Sequence, residues 1–394
     1  VAGHAPLHLA VALEGAGWHP AAWRFAPVPA REFYRLRYWA GQAAEAERGQ
    51  VDFVTFEDEL TGPVDDRTDR FAGRFDAVQL AAGIAPLTSS IGLLPTATVT
   101  HTEPFHVSTA IATLDYVSEG RAGWQVKMSD TAAEAGNFGR RPAAEFTPRD
   151  PQRQAALAAD LLAEASDAVK VVRALWDSWE DGAVIRDVDT GRYLDRSRLH
   201  HINFHGSRFA VRGPSITPRP PQGQPVVAVL AHGVADYRFA AQAADIVYVT
   251  PQDIDDARAV VTRLQAAQEQ VGRPGPPLKI FADLLVLLDE SWPAAADRRA
   301  RWDELAGEPL TSDAEIFVGS PAVLAERLAR WRAVGLDGFR LRPGSAADDL
   351  VAISRGLVPE LRNQGLLPRV HEGATRATLR ERLGLGRPAN RYAA

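Results

Sequence analysis

The stretch PVVAVLAHGVADYRFAAQAADIVYV, residues 225 to 249, sets an apolar run (225–231) and a second one (245–249) on either side of a helical segment (235–243). Two short apolar runs joined through an amphipathic stretch are the pattern of a β–α–β unit, whose strands are parallel and covered on both faces. The same alternation extends in both directions. Further strand-like runs are LHLAVAL (7–13), VDFVTFE (51–57), IGLLPTAT (91–98), GWQVKM (123–128), LKIFADLLVLL (278–288) and DGFRLR (337–342). Helical stretches separate them at 31–49, 75–82, 105–119, 153–178, 253–271 and 321–334, and another follows the last strand at 347–363. Eight strands alternating with helices in this length predict an α/β fold, a single (β/α)8 TIM barrel forming one domain over residues 1–394. Residues 180–222 break the rhythm with alternating residues and turn punctuation, so a hairpin-bearing insertion is expected there. A second break, 289–318, is polar and tryptophan-dotted, as a cover over the barrel mouth would be. The end of the chain reads as a C-terminal helical arm.

Composition narrows the function classes. The formal charge is −6, with no basic block, which argues against a nucleic-acid partner. Cysteine is absent, so disulfides, thiolate metal sites and cysteine nucleophiles are excluded. His8 and Glu14 interrupt the N-terminal apolar run, and no stretch is long enough for a membrane span, so the expectation is a cytoplasmic chain that avoids the membrane.

In a barrel of this kind functional groups follow the strands at their C-terminal ends. That rule selects His19 after the first strand, Glu57 and Asp58 after the second, and Thr98, Thr100 and His101 after the third. It also selects Gln125, Met128 and Ser129 at the fourth strand, and His232 with Gly233 after the fifth. Each has a plainer reading: His19 can cap its own loop, Asp58 can cap the next helix, the threonines are good strand residues, and Trp124 suits packing. HHINFH (200–205) alternates like a strand, which sets its histidines too far apart for easy joint ligation, so no metal site is expected.

Read in order, GWHPAAWR, AERGQVDFVTFEDEL, TATVTHTEPFHV, TLDYVSEGRAGWQVKMS, LWDSWEDGA, PRPPQGQPVV and PGSAADDL resemble the bacterial luciferase-like flavin monooxygenases, in the branch of the nitrilotriacetate, EDTA and dibenzothiophene sulfone enzymes and the pristinamycin synthase subunit. The resemblance implies a homodimeric enzyme that takes reduced FMN from a separate flavin reductase and uses O2 to oxygenate an organic small molecule. It places Asp58, Thr98 or Thr100 and Gln125 at flavin-facing positions, and His19 as the acid or base. Two phosphate motifs are altered. The branch's HDxRY box aligns with AADLL (158–162), and AGxSxxG reads LAHGVAD (230–236), with Gly233 where the serine would stand. Oxidised FMN is therefore expected to bind weakly, with His232, Arg149 or Arg153 as compensating groups. The alternatives are a deazaflavin-dependent or cofactor-independent oxidoreductase, or a non-catalytic small-molecule-binding or partner subunit.

Overall fold

The computed structural model describes residues 6–62, 67–273, 275–367 and 377–393. Eight parallel strands close on themselves: β1 (His8–Leu13), β2 (Phe53–Phe56), β3 (Gly92–Thr98), β4 (Gly123–Lys127), β5 (Val226–Leu230), β6 (Ile246–Val249), β7 (Lys279–Leu288) and β8 (Gly338–Pro343). Each pairs with its neighbour in sequence order, and β8 returns to β1 in the register His8↔Gly338 through Val11↔Leu341. Every expected strand is present. Residues 289–318 add an element that was not expected. Besides the helix Trp292–Ala306, Glu315–Gly319 forms a ninth parallel strand on the second half of β7 (Leu284↔Glu315 to Leu288↔Gly319), continuing the sheet beyond the level where β6 ends.

Strand alternation divides the side chains between the barrel interior and the helical shell. Ala10, Phe53, Leu94, Val226, Ala228, Ile246, Tyr248 and Phe281 fill the interior as one apolar cluster, and Leu379, Leu383 and Leu385 of the C-terminal arm close its lower end. Space is tight there. A Cβ on Gly92 would come within 2.7 Å of Phe53 and 2.8 Å of Leu379, so a glycine lets the arm seat. Trp124, one residue out of phase with Gln125, faces the helices and donates from its indole to the Ala97 carbonyl at 3.2 Å.

Several of the most recognisable sequence motifs brace this lower end. Arg121 of SEGRAGW donates to the carbonyls of Ser118, Ile91, Ala85 and Thr88. Gln222 of RPPQGQP bonds the buried Asp115, and its carboxamide oxygen accepts from the arm at Arg380 N–H. The insertion carries two small hairpins, Val184–Asp187 with Arg192–Leu194 and Phe204–His205 with Ala210–Val211. No helix among the described residues is long and apolar enough to cross a membrane.

Candidate active site at the barrel mouth

Above the apolar layer the interior turns polar. Arg340 of β8 is 1% exposed, and its guanidinium reaches four other strands or strand ends. It donates to Asp283 of β7 at 2.8 Å, to the Gln125 carboxamide oxygen at 2.6 Å and to Glu57 at 3.2 Å, and it lies 3.9 Å from the Tyr248 ring centroid. Gln125 in turn donates to Glu57 at 3.1 Å. Arg342, two residues on, shares Asp283, continues to Asp313 beside the ninth strand and packs over Trp18. Burial works against the charge on Arg340, but the Asp283 carboxylate more than offsets it and holds the guanidinium ionised. A fully paired charged plate therefore forms the floor of the mouth.

The predicted residues surround this floor with different degrees of freedom. Gln125 is engaged at both ends of its carboxamide. Thr98, 2% exposed, has a buried hydroxyl with no partner among the described residues, whereas the Thr100 hydroxyl accepts from Ser129 N–H at 2.9 Å. Of the two threonines, Thr98 is the one with bonding capacity to spare. The Asp58 carboxylate accepts from Glu59 N–H at 2.7 Å and from Ala77 N–H at 3.1 Å, at the head of the helix Ala77–Ile84, while its carbonyl takes Lys127 Nζ at 2.8 Å. Desolvation raises its pKa.

His19 lies deeper than a strand-end loop residue is expected to. It is 2% exposed, accepts from Ala21 N–H at Nδ1 (3.1 Å) and faces Asp303 through Nε2 (3.1 Å), with its ring edge-on to Trp302. As the plainer reading had it, His19 braces its own loop through Ala21, and through Asp303 it also ties the loop after β1 to the helix Trp292–Ala306. Burial lowers its pKa despite Asp303, so a neutral ring donates from Nε2. Acid–base work by His19 would require it to release Asp303.

Three participants escaped the strand-end rule, and a fourth, Glu14, obeys it but was not singled out. Arg340, Arg342 and Asp283 lie within strands, and their signal was a charge in interior register of an otherwise apolar run. Glu14, directly after β1, is half-buried, 3.3 Å from Arg74. Burial pushes its carboxyl up to about 7; Arg74 opposes this, and Glu57, Glu59 and Asp58 add to it. It is the mouth carboxyl that holds a proton near neutrality.

The LAHGVAD loop differs from what an anion site needs. The Asp236 carboxylate accepts from the N–H groups of both His232 and Gly233 at 3.1 Å each, capping the helix Val234–Ala243 from within. His232 is exposed and bonds the Thr250 hydroxyl at 3.3 Å. Asp236 also borders a cavity of about 510 Å³ walled by Met128, Phe146, Ala158, Leu161 and Leu162, with no cationic side chain among the described residues that line it. Arg149 and Arg153 line a neighbouring cleft with Arg141 and Arg208.

The family model described as "Luciferase-like monooxygenase" matches residues 17–314. The chain belongs to this family. It is an enzyme of the luciferase-like monooxygenases, and relatives agree along its whole length. It is 28% identical to N-acetyl-S-(2-succino)cysteine monooxygenase of Bacillus subtilis and 28% identical to nitrilotriacetate monooxygenase component A of Aminobacter aminovorans, each alignment covering 98% of both chains. The structure of EDTA monooxygenase from Chelativorans sp. BNC1 superposes with a TM-score of 0.82 over 97% of this chain and 99% of that one, at 22% identity, which establishes the shared fold.

Proposed function

We propose that this luciferase-like enzyme is the oxygenase component of a two-component system, using a reduced flavin delivered by a separate reductase, and O2, to oxygenate an organic small molecule. A reduced flavin supplies the two electrons that let one atom of O2 enter the substrate while the other leaves as water. The unpaired, buried Thr98 hydroxyl carries this reading. A buried hydroxyl with no partner among the described residues, beside a floor whose charged groups are paired, suits a ligand edge lying over that floor. The name of the Aminobacter relative, component A, supports a partner that supplies reducing equivalents. A homodimer and a cytoplasmic location rest on the family alone.

The ring end of a flavin fits the residues present, with Thr98 to bond it and Gln125 fixed by Glu57 and Arg340 to flank it. The phosphate end does not fit, because the amides of His232 and Gly233 are already taken by the Asp236 carboxylate, whose charge opposes an anion there. No step is therefore routed through an FMN phosphate. The chain's own contributions are a rigid charged floor, a buried wall where Trp302 packs on His19, and a Glu14 carboxyl whose raised pKa, about 7, suits it to give or take a proton at the rim. The test is incubation with a flavin reductase, NADH and ¹⁸O2 in a small-molecule extract. Protein-dependent products heavier by one ¹⁸O atom support the reading, and hydrogen peroxide as the sole oxygen product refutes it.

A further inference from the structure

We propose that this barrel selects a flavin without a phosphate, because the Asp236 carboxylate occupies the amide pair at the head of the helix Val234–Ala243 and repels an anion from the cavity beside it. The inference rests on the reading of the chain as a flavin-using oxygenase, and it names which flavin.

Three observations converge on it. Backbone N–H groups at the head of a helix attract an anion because they are unpaired and carry the positive end of the peptide dipoles. Here two of the loop's N–H groups, that of Gly233 at the N-cap and that of His232 just before it, are spent on Asp236, at 3.1 Å each. In the family pattern AGxSxxG the position of Asp236 belongs to glycine, so a negative charge stands where the pattern has no side chain. Second, the cavity bordered by Asp236 also receives Asp130, and its remaining walls are uncharged: Met128, Phe146, Leu161 and Leu162 are apolar and Gln154 is neutral. A phosphate entering it would meet two carboxylates and no cation. Third, Arg141, Arg149, Arg153 and Arg208 line the adjoining cleft, on the other side of Thr147, Pro148 and Leu157, which wall both spaces. A ribityl chain ending in a hydroxyl meets none of these conflicts, and Gln154 or the Asp236 carboxylate can bond it as donor or acceptor.

The experiment compares riboflavin with FMN on the full-length protein, by fluorescence quenching for the oxidised forms and by anaerobic absorbance titration for the reduced forms. The wild type, Asp236→Asn and Asp236→Gly are run in parallel. Asparagine keeps an oxygen to accept the two amides while removing the charge, and thermal unfolding shows whether the helix cap survives in each variant. Like charges a few ångströms apart at a partly solvated site change affinity by about tenfold, so riboflavin is expected to bind the wild type at least about fivefold more tightly than FMN. Asp236→Asn is expected to bring the two affinities together by improving FMN and leaving riboflavin unchanged, and Asp236→Gly to favour FMN. A wild type that binds FMN as well as or better than riboflavin overturns the proposal and points to Arg149 and Arg153 as the phosphate site. An FMN-to-riboflavin ratio that Asp236→Asn leaves unmoved overturns it as well. If neither flavin binds in either redox state, the flavin-oxygenase reading fails together with the inference, an outcome distinct from the other two.

Discussion

Replacing Asp283 with alanine probes the charged floor at its centre. Asp283 is fully buried and receives both Arg340 and Arg342, so its removal leaves two guanidiniums facing a cavity in the middle of the barrel. Arg340 retains Glu57 and Gln125, and Arg342 retains Asp313, so neither becomes wholly unpaired. Removing one partner of a buried ion pair costs about 3–5 kcal/mol, and the surviving contacts place this variant toward the lower end, about 3 kcal/mol. The double replacement Asp283→Leu with Arg340→Met removes the charge imbalance at that pair and is expected to recover at least about half of the loss, since apolar substitutes of similar volume are often neutral. Urea unfolding at equilibrium, with the m-value checked for constancy, measures both. A loss below about 1 kcal/mol in Asp283→Ala, or a double variant less stable than the single one, would refute the floor as a coupled charge network.

Glu14 predicts a pH signature. Its folded-state pKa of about 7 exceeds the ordinary 4.5, so between these values the folded state binds more protons than the unfolded one and stability declines as pH rises. The full shift would amount to about 3 kcal/mol, but partial solvent contact reduces this to about 1–2 kcal/mol; Glu14→Gln should abolish that slope between pH 4.5 and 7, as read from unfolding midpoints across pH. Thr98→Val should leave stability within about 0.5 kcal/mol, because the hydroxyl it removes has no partner among the described residues, yet weaken reduced-flavin binding by about 2- to 10-fold; unchanged affinity would take Thr98 out of the site. His19→Ala removes two hydrogen bonds and the ring contact with Trp302, so it should lose about 2–3 kcal/mol of stability, whereas a variant that is fully stable and loses 10²-fold or more in turnover would make His19 an acid or base rather than an anchor.

The barrel was legible because each strand is a compact apolar run, and closure follows from eight such runs in β–α alternation. Glu315–Gly319 was not, since it is five residues long, follows a polar segment and exists only because β7 outlasts β6 and offers it an edge. The strand-end rule singled out Asp58, Thr98 and Gln125 as candidates, but not which of their atoms are spent. That depends on partners such as Glu57 and Arg340, 283 residues apart in the chain. Arg340 and Arg342 look like solvent-facing charges in DGFRLR, until Gly338 in the same register is placed against Phe281 inside the barrel. The altered phosphate motif was readable as a loss. That Asp236 replaces the anion with its own carboxylate required the loop's geometry.

The most direct test of the central claim is an anaerobic titration of the protein with reduced riboflavin, followed by rapid mixing with O2 in a stopped-flow spectrometer. The account predicts saturable binding of one reduced flavin per chain, weakened in Thr98→Val, and a time course of flavin reoxidation distinct from that of the free flavin. No saturable binding, or reoxidation indistinguishable from free reduced riboflavin at saturating protein, would contradict it.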